Sequence, residues 1–189
     1  MVRDKTKFNQ WINSDSVIEW FNQLDDKDTL SFIQFDICEY YHSISENLLK
    51  KAINFAGRLT KITNDEKKII YQARKTILCS NGYTWIKKAN KDFDVPMGSW
   101  DGAEICDLVG LYLLSQLGHL GFQGGLYRDD GLLVSALNPQ ELENLKKVKL
   151  NYLALKMTKT WLFSLETGKH NNYLYFHVAY LYIQCRNWP

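Results

Sequence analysis

One stretch of the sequence decides the fold: GLYRDDGLLVSAL, which runs from Gly125 to Leu137. Two short apolar runs flank a charged group in this stretch, and that pattern predicts a tight β-hairpin. Asp129 and Asp130 come at the predicted tip. Asp130-Gly131 is also a common turn pair, so a turn alone would account for Asp130 without any role in a site.

A second apolar run also ends in an acidic residue. Residues 29–36 read TLSFIQFD, which predicts a buried strand with Asp36 at its C-terminal edge. An ionised carboxylate in this position needs a partner, and no basic residue lies within three positions of it in the sequence. If this strand pairs with the hairpin, the carboxylates of Asp36, Asp129 and Asp130 converge on one surface of the sheet.

Three converging carboxylates predict a metal site. Such groups repel one another unless cations lie among them, and hard oxygen ligands in this number suit Mg²⁺, with Mn²⁺ as a substitute. Two ions held about 3.5 to 4 Å apart would bind the attacking and leaving oxygens of an in-line phosphoryl transfer. The sequence therefore predicts nucleotidyl-transfer chemistry at Asp36, Asp129 and Asp130.

The remaining segments predict an α+β fold in one domain of residues 1–189. Helices are expected from Ser14 to Leu24, from Ser43 to Leu59 with Ser45 as N-cap, from Thr63 to Asn81-Gly82, from Ile105 to Leu117 and from Asn138 to about Lys149. A short ribbon at residues 83–88 and a strand from Lys156 to Leu165 with a turn at Glu166 to Lys169 complete the order. This order predicts an antiparallel sheet with helices packed on one face.

The composition excludes several classes of protein. The chain has 189 residues, 46% of them hydrophobic, and a net charge of +2, so it can build a core and has no overall basic character. The four cysteines stand singly, the N-terminal residues lack the apolar core of a signal peptide, and no apolar run is long enough to span a bilayer. We expect a soluble intracellular protein, cytoplasmic or nuclear, with no membrane partner.

Three segments together resemble the reverse transcriptase family. Residues 127–130, YRDD, resemble the Tyr-x-Asp-Asp box on the metal-binding hairpin of the family's palm domain. Residues 35–44, FDICEYYHSI, resemble the preceding palm block, with His42 where Pro is usual. Residues 97–103, MGSWDGA, stand in the place of the Gln-Gly-x-x-x-Ser-Pro segment, of which Gly98 is the firm match. The chain is most similar to reverse transcriptase-like open reading frames of mobile elements, over roughly residues 14–168.

The resemblance implies a polymerase palm and assigns roles to six residues. Asp36 and Asp129 would hold two Mg²⁺ ions, with Asp130 as the second carboxylate of the hairpin near the primer terminus. Tyr41 would lie under the sugar of the incoming nucleotide and exclude a 2′-hydroxyl, Gly98 would let the backbone approach the nucleotide or template base, and Tyr127 would lie beside the primer end. The implied partners are an RNA template, a DNA primer and deoxynucleoside triphosphates.

Two functions stay open at this point. The residues before Asp36 and after Asp130 are too few for complete fingers and thumb subdomains, so we expect a palm-centred fragment of a larger open reading frame or a decayed copy, with a partner chain as one source of the missing subdomains. The chain is then either an RNA-directed DNA polymerase palm or a catalytically inactive palm remnant that binds nucleic acid or protein. Basic groups that could contact a template-primer backbone, or equally be solvated faces, are Lys67-Lys68, Arg74-Lys75, Lys87-Lys88 and Lys146-Lys147-Lys149.

Overall fold

The structure of the chain is a computed structural model. It describes residues 2–26, 29–37, 39–75, 77–85, 93–119, 123–145 and 163–168. None of the helices in these ranges has both the length and the apolar character that crossing a bilayer requires.

A five-stranded mixed sheet forms the centre of the fold. The strands of the chain are β1 (Asn9–Gln10), β2 (Ser31–Ile37), β3 (Leu78–Ser80), β4 (Tyr83–Trp85), β5 (Gln123–Tyr127), β6 (Asp130–Ser135) and β7 (Phe163–Gly168). The main sheet has the order β1-β5-β6-β2-β7, and β3 pairs with β4 in a separate ribbon. β1 runs parallel to β5, whereas the β5–β6, β6–β2 and β2–β7 pairs are antiparallel.

Four of the six α-helices in the described residues begin where the sequence signals predict, whereas the helix predicted from Ile105 begins at Gly102 and the short helix Tyr40–Ser43 was not predicted. The six helices are α1 (Ser14–Asn22), α2 (Tyr40–Ser43), α3 (Glu46–Gly57), α4 (Asn64–Gln72), α5 (Gly102–Gly118) and α6 (Pro139–Leu145). The Ser45 hydroxyl accepts a hydrogen bond from the Leu48 N–H, as predicted for the N-cap of α3. Thr63 and Glu66 form the predicted capping box at the start of α4.

Side-chain alternation along β2 divides the core between the two faces of the sheet. Ile33, Phe35 and Ile37 pack in a cluster with α3 and α5. Phe32 points the other way and packs in a second cluster with Val17 and Phe21 of α1. The predicted α+β class is confirmed, with α3 and α5 on one face of the sheet and α1 added on the other.

Two predicted boundaries were wrong. The helix that begins after Thr63 ends at Gln72, and Asn81-Gly82 is the turn of the β3–β4 hairpin instead of a helix end. Both turn residues have positive φ, at 50° and 77°, as a type I′ hairpin turn requires. Residues 166–168 form no turn, because they pair with β2 as part of β7. The predicted strand residues 156–162, Lys169 and the end of the last predicted helix lie outside the described residues.

The turn of the β5–β6 hairpin also differs from the Asp-Gly expectation. β5 ends at Tyr127 and β6 begins at Asp130, so Arg128 and Asp129 are the two turn residues. Gly131 lies within β6, opposite Phe35 of β2. A Cβ atom on Gly131 would overlap the Phe35 ring. Glycine is therefore required at residue 131 by the ring that packs across the strand.

We predict that Gly131→Ala destabilises the protein. Phe35 is buried with 1% exposure, so its ring has little room to move away from an added methyl group. Overpacking of this kind costs roughly 1 to 3 kcal/mol of unfolding free energy, measured by urea denaturation.

Gly57→Ala is the matched control for this substitution. A Cβ at Gly57 meets no atom within 4 Å, and the residue lies in the last turn of α3. We expect a neutral or slightly stabilising effect there. Equal effects of the two substitutions would contradict the steric explanation, whereas recovery of stability in Gly131→Ala/Phe35→Leu would support it.

Candidate functional site

Asp36 and Asp130 face each other across the antiparallel pair of β2 and β6. The register places them directly opposite, next to the Phe35–Gly131 pair. Because Phe35 points toward α3 and α5, Asp36 and Asp130 project from the other face of the sheet. Both residues are half-buried. The predicted convergence of these two carboxylates on one surface is thus present in the structure.

Asp129 lies beside this pair, in the two-residue turn. Its carbonyl oxygen accepts a hydrogen bond from the Ile37 N–H at 3.1 Å, which ties the hairpin tip to the end of β2. Arg128 has φ of 53°, in the left-handed region that residues other than glycine seldom adopt, so it holds a strained backbone, as often occurs at functional sites.

Burial raises the pKa of all three carboxyl groups, and repulsion by neighbouring carboxylates raises the pKa of Asp129 and Asp130 further. Burial raises the pKa of Asp130 to about 7, with further contributions from the charges of Asp129 and Asp36. Burial and then the charge of Asp36 raise the pKa of Asp129, which Arg128 partly offsets. Burial raises the pKa of Asp36. The three groups therefore share one electrostatic environment that favours a bound cation or a bound proton.

Tyr41 lies close to Asp129. It is in α2, which begins shortly after β2, and its side chain lies near the Cys106 thiol of α5. Burial raises the pKa of Tyr41, and the charge of Asp129 raises it further while Arg128 lowers it. These interactions bring Tyr41, Asp129 and the second turn of α5 together at one end of the sheet.

Tyr127 and Gly98 are placed differently. Tyr127 pairs with Asp130 across the hairpin and packs against the α1 cluster, with the Arg128 guanidinium 5.7 Å from its ring centre. Gly98 lies in the turn before α5 with φ of 85°, and a Cβ there would meet no atom within 4 Å. Glycine at residue 98 is therefore explained by backbone conformation. The predicted close approach to a nucleotide stays a prediction.

The buried Arg74 was among the basic residues considered for phosphate contact, and this interpretation was wrong. Arg74 is 3% exposed, and its guanidinium binds the Asp101 carboxylate and, at 3.4 Å, the Ser99 hydroxyl. It holds the segment that contains Gly98 against the end of α4. Lys87, Lys88 and the lysines from Lys146 to Lys149 lie outside the described residues.

Sequence reasoning missed the ion pair of Asp107 and Arg3. The Arg3 Nη2 atom lies 2.9 Å from the Asp107 Oδ2 atom, although the two residues are far apart in the chain. Asp107 is close enough to Tyr41 and Cys106 for its charge to raise both pKa values. A carboxylate within the apolar run of α5 was the available signal.

The donor set at the hairpin suits a hard cation, because it consists of carboxylate oxygens that repel one another. Across the described ranges, however, no group of three or more His, Cys, Asp or Glu side chains is gathered so that it could hold a metal ion. The strand register thus makes neighbours of Asp36, Asp129 and Asp130, and the charges of Asp129 and Asp36 raise the pKa of Asp130. Their oxygen atoms would have to move closer to one another for a cation to bind.

Comparison with solved structures gives a fold likeness. The chain is similar to apo telomerase from Candida tropicalis, truncated from its C-terminal domain, with a TM-score of 0.56 and 16% sequence identity. The alignment covers 84% of this chain and 35% of the telomerase chain, so this chain spans about a third of that protein's length. No protein-family model matches the sequence, and neither does any curated protein. The comparisons therefore show that the fold is similar to part of a telomerase.

Proposed function

We propose that this chain is the palm domain of an RNA-directed DNA polymerase, which adds deoxynucleotides to a primer 3′-hydroxyl by metal-dependent nucleotidyl transfer. One observation carries the proposal. The β2–β6 register sets Asp36 opposite Asp130, with Asp129 in the adjoining turn, on the sheet face that α3 and α5 leave uncovered.

Two further observations support the proposal. The fold is similar to part of a telomerase, which is a reverse transcriptase. The three neighbouring carboxyl groups have raised pKa values, so a cation would stabilise their ionised forms. A deoxynucleoside triphosphate, an RNA template and a DNA primer are the substrates that follow from this proposal.

Asp36, Asp129 and Asp130 would hold two Mg²⁺ ions, or Mn²⁺ in their place. When bound, such ions activate the attacking hydroxyl and neutralise charge on the phosphate and leaving group. The chain itself fixes the carboxylates on adjacent strands, with the Ile37 N–H holding the turn of Asp129. The half-buried Tyr41 ring, which lies near Asp129, would bound the space for the nucleotide sugar.

A second function has support from one observation. Within the described residues the carboxylates are not gathered into a group that could hold a metal ion. A palm remnant without catalytic activity, which binds nucleic acid or a protein, would need no such group. The two functions are separated by whether the purified chain incorporates nucleotides.

We predict that Asp129→Ala abolishes nucleotide incorporation. Loss of a carboxylate that stabilises transition-state charge should lower the rate at least about 100-fold. The assay measures labelled deoxynucleotide added to a DNA primer on a polyribonucleotide template, in Mg²⁺ and then in Mn²⁺.

Asp65→Asn is the control for this assay, because Asp65 is exposed on α4 and its carboxylate is 85% exposed. It should leave incorporation unchanged. A folded chain that incorporates nothing in either metal ion would contradict the polymerase proposal and favour the binding module. Activity that survives in Asp129→Ala would show that the carboxylate site is not responsible for it.

We predict that Tyr41→Ala lowers the selectivity for deoxynucleotides over ribonucleotides. Removal of the ring opens space for a 2′-hydroxyl, so the ratio of ribonucleotide to deoxynucleotide incorporation should rise at least roughly tenfold. Tyr41→Phe keeps the ring and loses only the hydroxyl, so its selectivity should match that of the unchanged chain. If Tyr41→Ala keeps the selectivity of the unchanged chain, Tyr41 does not contact the nucleotide sugar.

We predict a pH-dependent stability difference between Asp130→Asn and the unchanged chain, measured by urea unfolding with a chelator present. The Asp130 pKa rises from an ordinary value of 3.8 to about 7 in the fold, so folding favours the protonated form. The protonated form therefore contributes to the free energy of unfolding. This contribution is fully present below about pH 4 and is lost as the pH rises through 7.

Asn cannot ionise, so the Asp130→Asn variant should gain stability relative to the unchanged chain across this pH window. The gain corresponds to at most about 4 kcal/mol for a shift of this size. Above pH 7, Mg²⁺ should reduce the difference in unfolding free energy between the two proteins, because a bound cation stabilises the ionised carboxylates of the unchanged chain. A difference that does not vary with pH would contradict the raised pKa.

A further inference from the structure

A cleft opens in the helix layer, on the side of the sheet opposite to the carboxylates. It has a volume of about 640 Å³. Its walls are residues 5–8 of the N-terminal segment, the second half of α3 with the residues just after it, and the last two turns of α5. The volume is within the range of ligand-binding pockets. None of the six residues assigned from the sequence to the polymerase site lines it.

The charges around this cleft are all of one sign. Lys5, Lys7, Lys51 and Arg58 line it together with His119, and none of the described residues that line it is Asp or Glu. The whole chain is nearly balanced, with 23 Lys and Arg against 21 Asp and Glu. A uniformly positive cleft on a balanced chain is a local feature that attracts anions.

The ends of the helices account for only part of this charge. Arg58 and His119 are the C-cap residues of α3 and α5, where a basic side chain interacts favourably with the helix dipole. Lys51 lies in the middle of α3, and Lys5 and Lys7 come from a separate segment of the chain. The Lys5 ammonium donates a hydrogen bond to the Leu59 carbonyl oxygen at 3.2 Å, which ties this segment to the end of α3, whereas the helix ends do not account for Lys7 and Lys51.

Partly buried aromatic rings line the same cleft. Phe55 of α3 and Tyr112 of α5 lie with ring centres 6.0 Å apart and planes inclined at 50°. Both are half-buried and both line the cleft, as does the half-buried Phe8. Rings between positive side chains are the arrangement by which proteins bind single-stranded nucleic acid, with bases on the rings and phosphates beside the cations.

We propose that this cleft binds a short segment of single-stranded nucleic acid. The cations would contact its phosphates, and Phe55 and Tyr112 would contact a base. An acidic peptide would use the cations but would gain little from the rings, and the cleft is too small for a duplex. The proposal is independent of the polymerase proposal, because it concerns the opposite side of the sheet and needs no metal ion.

The test measures fluorescence anisotropy of a labelled short oligouridylate on the full chain, with a chelator present to exclude metal-dependent binding. The double variant Lys51→Glu/Arg58→Glu should raise the Kd at least about tenfold. Lys61→Glu makes the same kind of charge change at an exposed lysine that does not line the cleft, and should change the Kd less than about twofold.

Phe55→Leu separates base contact from charge alone. It keeps an apolar side chain and all the cations, so it should weaken oligouridylate binding at least about threefold and leave binding of inorganic polyphosphate unchanged. Circular dichroism and thermal unfolding check that each variant folds.

Three results would overturn the proposal. Unchanged oligouridylate binding in the double variant would place the strand elsewhere on the protein. Polyphosphate or polyglutamate that binds as tightly as the oligonucleotide would show that bases contribute nothing. Adenosine monophosphate that binds as tightly as the oligonucleotide would make the ligand a free nucleotide rather than a strand.

Discussion

The structure of the candidate site depends on the register between β2 and β6. That register pairs Phe35 with Gly131 and Asp36 with Asp130, so one face receives a ring and the other receives two carboxylates. If the pairing of β2 shifted by one residue, every β2 side chain would move to the opposite face. The Asp36 carboxylate would then lie in the apolar cluster with α3 and α5. The absence of a side chain at residue 131 lets the Phe35 ring fit across the strand, so packing in the core keeps the carboxylates together.

The carboxylate site works against the stability of the fold that holds it. Burial disfavours the ionised forms of Asp36, Asp129 and Asp130, and their mutual repulsion adds to this cost. Apolar packing on both faces of the sheet supplies the compensating free energy. The strained Arg128 turn adds a second local cost in the same place. A protein with no use for these groups would be more stable with neutral residues at the hairpin tip.

Two sites on opposite sides of the sheet differ in charge, although the chain as a whole is nearly balanced. Carboxylates project from the face that α3 and α5 leave uncovered, whereas the cleft on the helix layer is lined by cations and rings. This separation cannot be found by counting charges along the chain. Lys5, Lys51 and His119 come from three distant segments, and only the packing of the N-terminal segment on α3 and α5 brings them to one cleft.

The sequence by itself determined the features that depend on neighbouring residues. Predictable features include the caps at Ser45 and Thr63 and the β5–β6 hairpin with acidic residues at its turn, because each rests on interactions within a few residues. The length of α4 was not predictable, since the apolar residues after Gln72 fit a helix or a strand equally well. Tertiary structure alone decided the β2–β6 register and the Arg3–Asp107 and Arg74–Asp101 ion pairs. These join distant segments, and their partners are selected by packing in three dimensions, which local spacing does not encode.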